Sequence, residues 1–113
     1  MNTKQIGDRL ENFVLTCLLK FDSTLHRTIA SGAKSEKSDI SGQFWRMELK
    51  SRNTKDISVK QKVWNKLCSE IPVGKNQVPL YIIENASKEK FVVMNFADFI
   101  RYMEKIYGKT KEK

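Results

Sequence analysis

Asp39 and the run Glu48-Leu49-Lys50 are the residues of this chain whose types and spacing bear on chemistry. Two carboxylates brought together can hold a hard divalent cation through oxygen. In an extended strand, residues two apart share a side, so Lys50 accompanies Glu48. Cation, acid and ammonium in one place meet the needs of phosphodiester hydrolysis. A water on such an ion loses its proton more readily, and the Leu49 carbonyl is a further oxygen ligand. Lys50 then offsets charge on the phosphorus. Taken singly, each residue is ordinary: an aspartate after a loop is turn chemistry, and acid-lysine alternation occurs on many solvated strands. Their conjunction matters if the two segments pair across the turn at Ser41-Gly42-Gln43.

The elements that must position them are legible in outline. Ile6, Leu10, Phe13, Val14, Cys17 and Leu18 recur at helical spacing, so a helix is predicted over Gln5–Lys20, with Glu11 flanking its buried stripe beside Gly7. Leu25–Ile29, carrying His26 and Arg27, reads as a first strand. Ser31–Ser38 is small and polar, the composition of an exposed mobile loop, with Glu36 a solvated charge. Phe44–Arg52 alternates: Trp45, Met47 and Leu49 on one face, Arg46, Glu48, Lys50 and Arg52 on the other. Ser58 and Gln61 have the spacing of a capping box for a second helix along Val59, Val63, Leu67 and Ile71, stopped by Pro72 and Gly74. Leu80–Ile83 and Phe91–Met94 read as a hairpin. Asn95 and Asp98 open a last helix with the stripe Phe99, Ile100, Met103 and Ile106/Tyr107, and Lys109–Lys113 reads as a frayed tail. The order α-β-β-β-α-β-β-α implies one mixed sheet with packed helices, an α/β or α+β domain over residues 1–113.

The chain has 113 residues, room for one modest core, and a formal charge of +8. A field of that sign favours polyanions, nucleic acid first. Cys17 and Cys68 sit at helical spacing among apolar residues and read as core, and with His26 the sole histidine a zinc site is not expected. The N-terminus has no apolar run fit for a signal peptide and nothing reaches membrane-spanning length, so a soluble, cytoplasmic protein is expected.

With these residues in view, the chain resembles the PD-(D/E)XK nuclease superfamily. Gly7-Asp8-Arg9-Leu10-Glu11, Ser31-Gly32-Ala33, Asp39 and Glu48-Leu49-Lys50 look most like the archaeal and phage Holliday junction resolvases. The resemblance spans roughly residues 6 to 67, and Ser38 stands where the superfamily's name has proline. It implies a restriction-endonuclease-like core and a Mg²⁺-dependent homodimeric endonuclease acting on four-way DNA junctions, with Mn²⁺ able to substitute. It further implies Glu11 as an additional metal-site acid, Ser31 in a loop reaching the cleaved strand, and Gln61 as the glutamine of the following helix. Arg27, Lys34, Lys37, Arg46, Arg52 and Lys55 are the expected phosphate contacts, giving affinity that falls with salt. No helix carries an evident set of base-reading side chains, so recognition of shape is expected over recognition of sequence. Two other readings fit the same residues: a nicking, flap or restriction-type nuclease, and a basic nucleic-acid-binding domain without catalysis.

Overall fold

A computed structural model describes residues 3–28 and 39–108. The elements are α1 (Thr3–Leu18), β1 (His26–Arg27), β2 (Ile40–Ser41), β3 (Trp45–Ser51), α2 (Gln61–Ser69), β4 (Val78–Glu84), β5 (Lys90–Val93) and α3 (Phe96–Tyr107). They build a mixed α/β fold around one five-stranded sheet in spatial order β1-β2-β3-β4-β5. β3 and β4 run parallel and every other neighbouring pair is antiparallel. A parallel pair needs a crossover, and α2 lies within it. Ser31–Ser38 and Lys109–Lys113 lie outside the described residues, and with them Ser31, Lys34 and Lys37.

The alternation of β3 divides the core in two. Met47 and Leu49 join Leu10 and Val14 of α1, Leu25, Ile40, Leu80 and Ile82 on one side of the sheet. On the other side Leu67 of α2 packs with Tyr81 and Ile83, bordered by Ile57, Val63 and Trp64. β4 is therefore buried along nearly its whole length, the environment that its continuous apolar run demands. Between β2 and β3 the chain passes hard against the segment before β1. A Cβ on Gly42 would lie 2.7 Å from Leu25 Cδ2 and 3.0 Å from Thr24 Oγ1, so only glycine fits that approach. The same Thr24 hydroxyl accepts the Gln43 N–H at 2.8 Å.

Two expectations are corrected here. The Ser58–Gln61 capping box does not form: α2 starts at Gln61, its cap is Lys60 in an extended conformation, and no side chain caps it. Gln61 is exposed and donates to Asn65 Oδ1 at 2.9 Å. Nor is Arg46 placed as the phosphate contact expected of it. Arg46 is buried, its Nε donating to Gln77 Oε1 at 3.1 Å and its guanidinium to Ser41 Oγ at 3.3 Å. Gln77 in turn donates to Ser41 Oγ and the Gly42 carbonyl, so Arg46 ties the β2–β3 turn to the start of β4 instead of offering charge to a ligand. Arg46→Ala is expected to cost about 2–4 kcal/mol, because it orphans buried polar partners as well as removing packing. A lowered urea midpoint with unchanged slope would show this; Lys55→Ala, at an exposed position, should leave the midpoint in place.

Candidate functional site

The β2–β3 pairing sets the geometry of the acids. Ile40 opposes Met47 and Ser41 opposes Arg46, which brings Asp39, the residue before β2, beside the Met47–Leu49 stretch that holds Glu48. The Asp39 N–H donates to the Met47 carbonyl at 2.9 Å, one residue off the regular ladder. The Asp39 side chain is fixed as well, Oδ2 accepting the Leu49 N–H at 2.8 Å. Asp39 thus touches the backbone on both sides of Glu48, through its own N–H at Met47 and its carboxylate at Leu49. Like charges on neighbouring strands repel.

Both acids are held above their ordinary values, chiefly by burial. Burial, followed by the Asp39 charge, pushes Glu48 up to about 7, with Lys50 and Lys66 pulling the other way. Burial also raises Asp39, against the Leu49 hydrogen bond and the charge of Lys50. Lys50 Nζ stands 3.7 Å from Glu48 Oε2 and remains partly exposed. Two half-buried carboxylates that disfavour each other's charge are a donor set that suits a hard divalent cation. Asp39 and Glu48 would hold it, and the Leu49 carbonyl is the adjacent backbone oxygen.

An open cleft of about 320 Å³ lies between α1 and the sheet, lined by Gly7, Leu10 and Glu11 of α1 and by Asp39, Lys50 and Arg52 across from them, while Glu48 is not part of its lining. Gly7 costs the helix about 1 kcal/mol relative to alanine, yet a Cβ there would meet nothing within 4 Å. Its absence leaves room on the cleft wall. Glu11 shares this cleft with Asp39, but its Oε1 lies 3.3 Å from Arg27. Among the described residues no group of three or more His, Cys, Asp or Glu side chains stands close enough to hold one ion, so Glu11 does not complete a three-acid set here.

The basic residues divide similarly. Arg27 binds back onto α1 through Asp8 at 3.4 Å, Glu11 at 3.3 Å and Asn12 at 2.5 Å, which locks α1 to β1. Arg52 lines the cleft, with Nη2 donating to Tyr81 OH at 3.3 Å, and Lys55 is exposed on the following segment. Arg52 is thus at the cleft, and Lys55 lies outside its lining.

Glu70 went unnoticed in the sequence. It caps the C-terminus of α2, where its mostly buried carboxylate raises both Asp39 and Glu48 and meets Lys66 Nζ at 3.1 Å. Neither Glu70 oxygen has an aligned hydrogen-bond donor. No local motif marks this residue, because only the packing of α2 across β3 brings it near the acids. Compared with family models, curated proteins and solved structures, the chain finds no match. No helix among the described residues is long and apolar enough to cross a membrane.

Proposed function

We propose that this chain is a Mg²⁺-dependent endonuclease with a restriction-endonuclease-like core that cuts branched DNA at four-way junctions as a homodimer. The observation that carries the reading is the neighbouring acids Asp39 and Glu48 with Lys50 beside them, Asp39 and Lys50 lining an open cleft, in a chain of charge +8. A divalent cation on the two carboxylates would supply an acidified water and would neutralise charge on a phosphate. The chain's own residues do the rest. Asp39 is oriented by the Leu49 N–H, Lys50 reaches the scissile phosphate from the same strand, and Arg52 and Lys55 draw the DNA backbone toward the cleft. A four-way junction has two-fold symmetry, so two copies could present one site to each of two opposed strands.

The test is cleavage of a labelled immobile four-way junction with Mg²⁺, beside matched linear duplex and an EDTA control. Paired symmetric nicks in the junction alone are the expected result. Cutting of every substrate would retain the chemistry and replace the target with that of a nicking, flap or restriction-type nuclease. Binding without cutting in both Mg²⁺ and Mn²⁺ would overturn the enzyme.

A further inference from the structure

The last helix is amphipathic the wrong way round for a monomer. Of the twelve residues of α3 none is buried. Phe96, Phe99, Ile100, Met103, Ile106 and Tyr107 recur at helical spacing and form one stripe, with Phe96 72%, Ile106 70% and Tyr107 75% exposed. The side turned to the domain is polar. Tyr102 stacks on Trp45 with ring centroids 5.4 Å apart, and Arg101 and Lys105 line a hollow with Phe44, Lys75 and Gln77. A helix that hid its apolar stripe against its own sheet would have the opposite orientation.

β5, which precedes α3 by two residues, carries a second apolar surface. Val92, on edge strand β5, is largely exposed and lines a hollow of about 290 Å³ with Leu18, Phe21, Leu25, Trp45 and Leu80. We infer that α3, Val92 and this apolar hollow form a self-association surface, covered in solution by the same surface of a second copy. This supplies the contact surface that the proposed homodimer requires, and it rests on that reading for its biological purpose alone.

Three observations select a second copy as the occupant. The stripe and Val92 expose roughly 800 Å², at about 200 Å² per large side chain, which is what each partner contributes to a stable interface and more than a monomer ordinarily shows. The surface carries both a ridge and a hollow, so under a two-fold rotation each copy can offer its ridge to the other's hollow. The stripe itself is uncharged in a chain of +8, and its flanks on α3 are Ala97 and Glu104 on one side and Asp98 and Tyr102 on the other. A membrane-lying helix would place lysine or arginine at those flanks, and here the basic Arg101 and Lys105 take the opposite side. The site is left clear as well. Trp45, which α3 contacts, begins β3, whereas Lys50 lies five residues along it, roughly 17 Å away.

Sedimentation equilibrium of the full chain from about 1 to 100 µM tests this. Wild type is expected at twice the chain mass, and Phe99→Asp/Ile106→Asp is expected to be monomeric, with association weakened at least about a hundredfold by burying two charges. Val73→Asp, at another fully exposed apolar position, should stay dimeric. Because the two α3 residues pack on little within one chain, far-UV circular dichroism should show the monomer folded. A wild-type monomer at 100 µM, or a double variant as dimeric as wild type, would overturn the inference. So would a monomer captured by anionic phospholipid vesicles. Mass is read without DNA or cation, so a dimer that fails to cut would sink the nuclease reading and leave this surface standing.

Discussion

Asp39→Asn and Glu48→Gln are each expected to lower junction cleavage by at least about a thousandfold, since loss of a ligand forfeits several kcal/mol of charge stabilisation in the transition state. Junction binding should stay within about threefold of wild type, because phosphate contacts from basic residues dominate affinity. Single-turnover cleavage and a gel-shift titration on the same DNA separate the two effects. Asp39→Asn keeps an oxygen to accept the Leu49 N–H, so the hairpin should survive the change. Either variant cutting at the wild-type rate would remove that residue from the chemistry.

Glu48→Gln should also make the metal-free protein more stable at pH 8, and a residue kept for structure would do the reverse. The sign follows from the proton. Burial and Asp39 hold Glu48 at about 7, above its ordinary 4.5. The folded chain therefore binds a proton more tightly than the unfolded one between those values. Its contribution to stability is fully present below 4.5 and is lost as pH rises through 7, by about 2–3 kcal/mol. Glutamine removes that loss, and the difference between variant and wild type, measured thermally at pH 5 and pH 8, should appear at pH 8 alone. Millimolar Mg²⁺ should raise wild-type stability at pH 8 and do little for the variant. Equal melting of the two proteins at pH 8 would mean that burial and the Asp39 charge do not hold the Glu48 proton as stated.

What the sequence disclosed follows the range of the interactions concerned. Periodicity located the helices and longer strands to within a few residues, because burial of one face leaves a repeat of 3.6 or 2 in the chain. The pairing of β2 with β3, which brings Asp39 toward Glu48, was legible because only a short turn separates the two segments, so local geometry nearly dictates it. Arg46 was misread because alternation tells which residues share a face and not whether that face is covered; Gln77, thirty-one residues away, covers it. The capping-box spacing at Ser58 was real as a pattern, but the chain stays extended through Lys60 before α2 begins. Glu70 had no local signature. The apolar stripe of α3 was plain in sequence, yet sequence could not say whether core or a neighbour would receive it.

The structural counterpart of the site is Glu84, and Glu84→Gln is expected to destabilise the fold by about 2–4 kcal/mol without touching the acids that would bind a cation. Its side chain is wholly buried at the end of β4. Arg9 Nη2 donates to Oε1 at 2.5 Å, Ser51 Oγ donates to the same oxygen at 2.8 Å, and Lys90 Nζ lies 3.1 Å from Oε2. The carboxylate therefore joins α1, β3 and β5 at one point. Burial alone would raise Glu84, but the hydrogen bonds from Arg9, Ser51 and Lys90 and the Arg9 charge outweigh it and hold the acid at about 2. For a depressed acid the stabilisation is complete above the ordinary value near 4.5 and disappears as pH falls toward 2. Wild type and Glu84→Gln should then differ most in urea midpoint at pH 7 and converge on acidification. Glutamine keeps the shape of the side chain but leaves Arg9 and Lys90 facing a neutral amide, so the loss at pH 7 measures charge and not volume. A gap that persisted undiminished at pH 2.5 would assign the stability to packing instead.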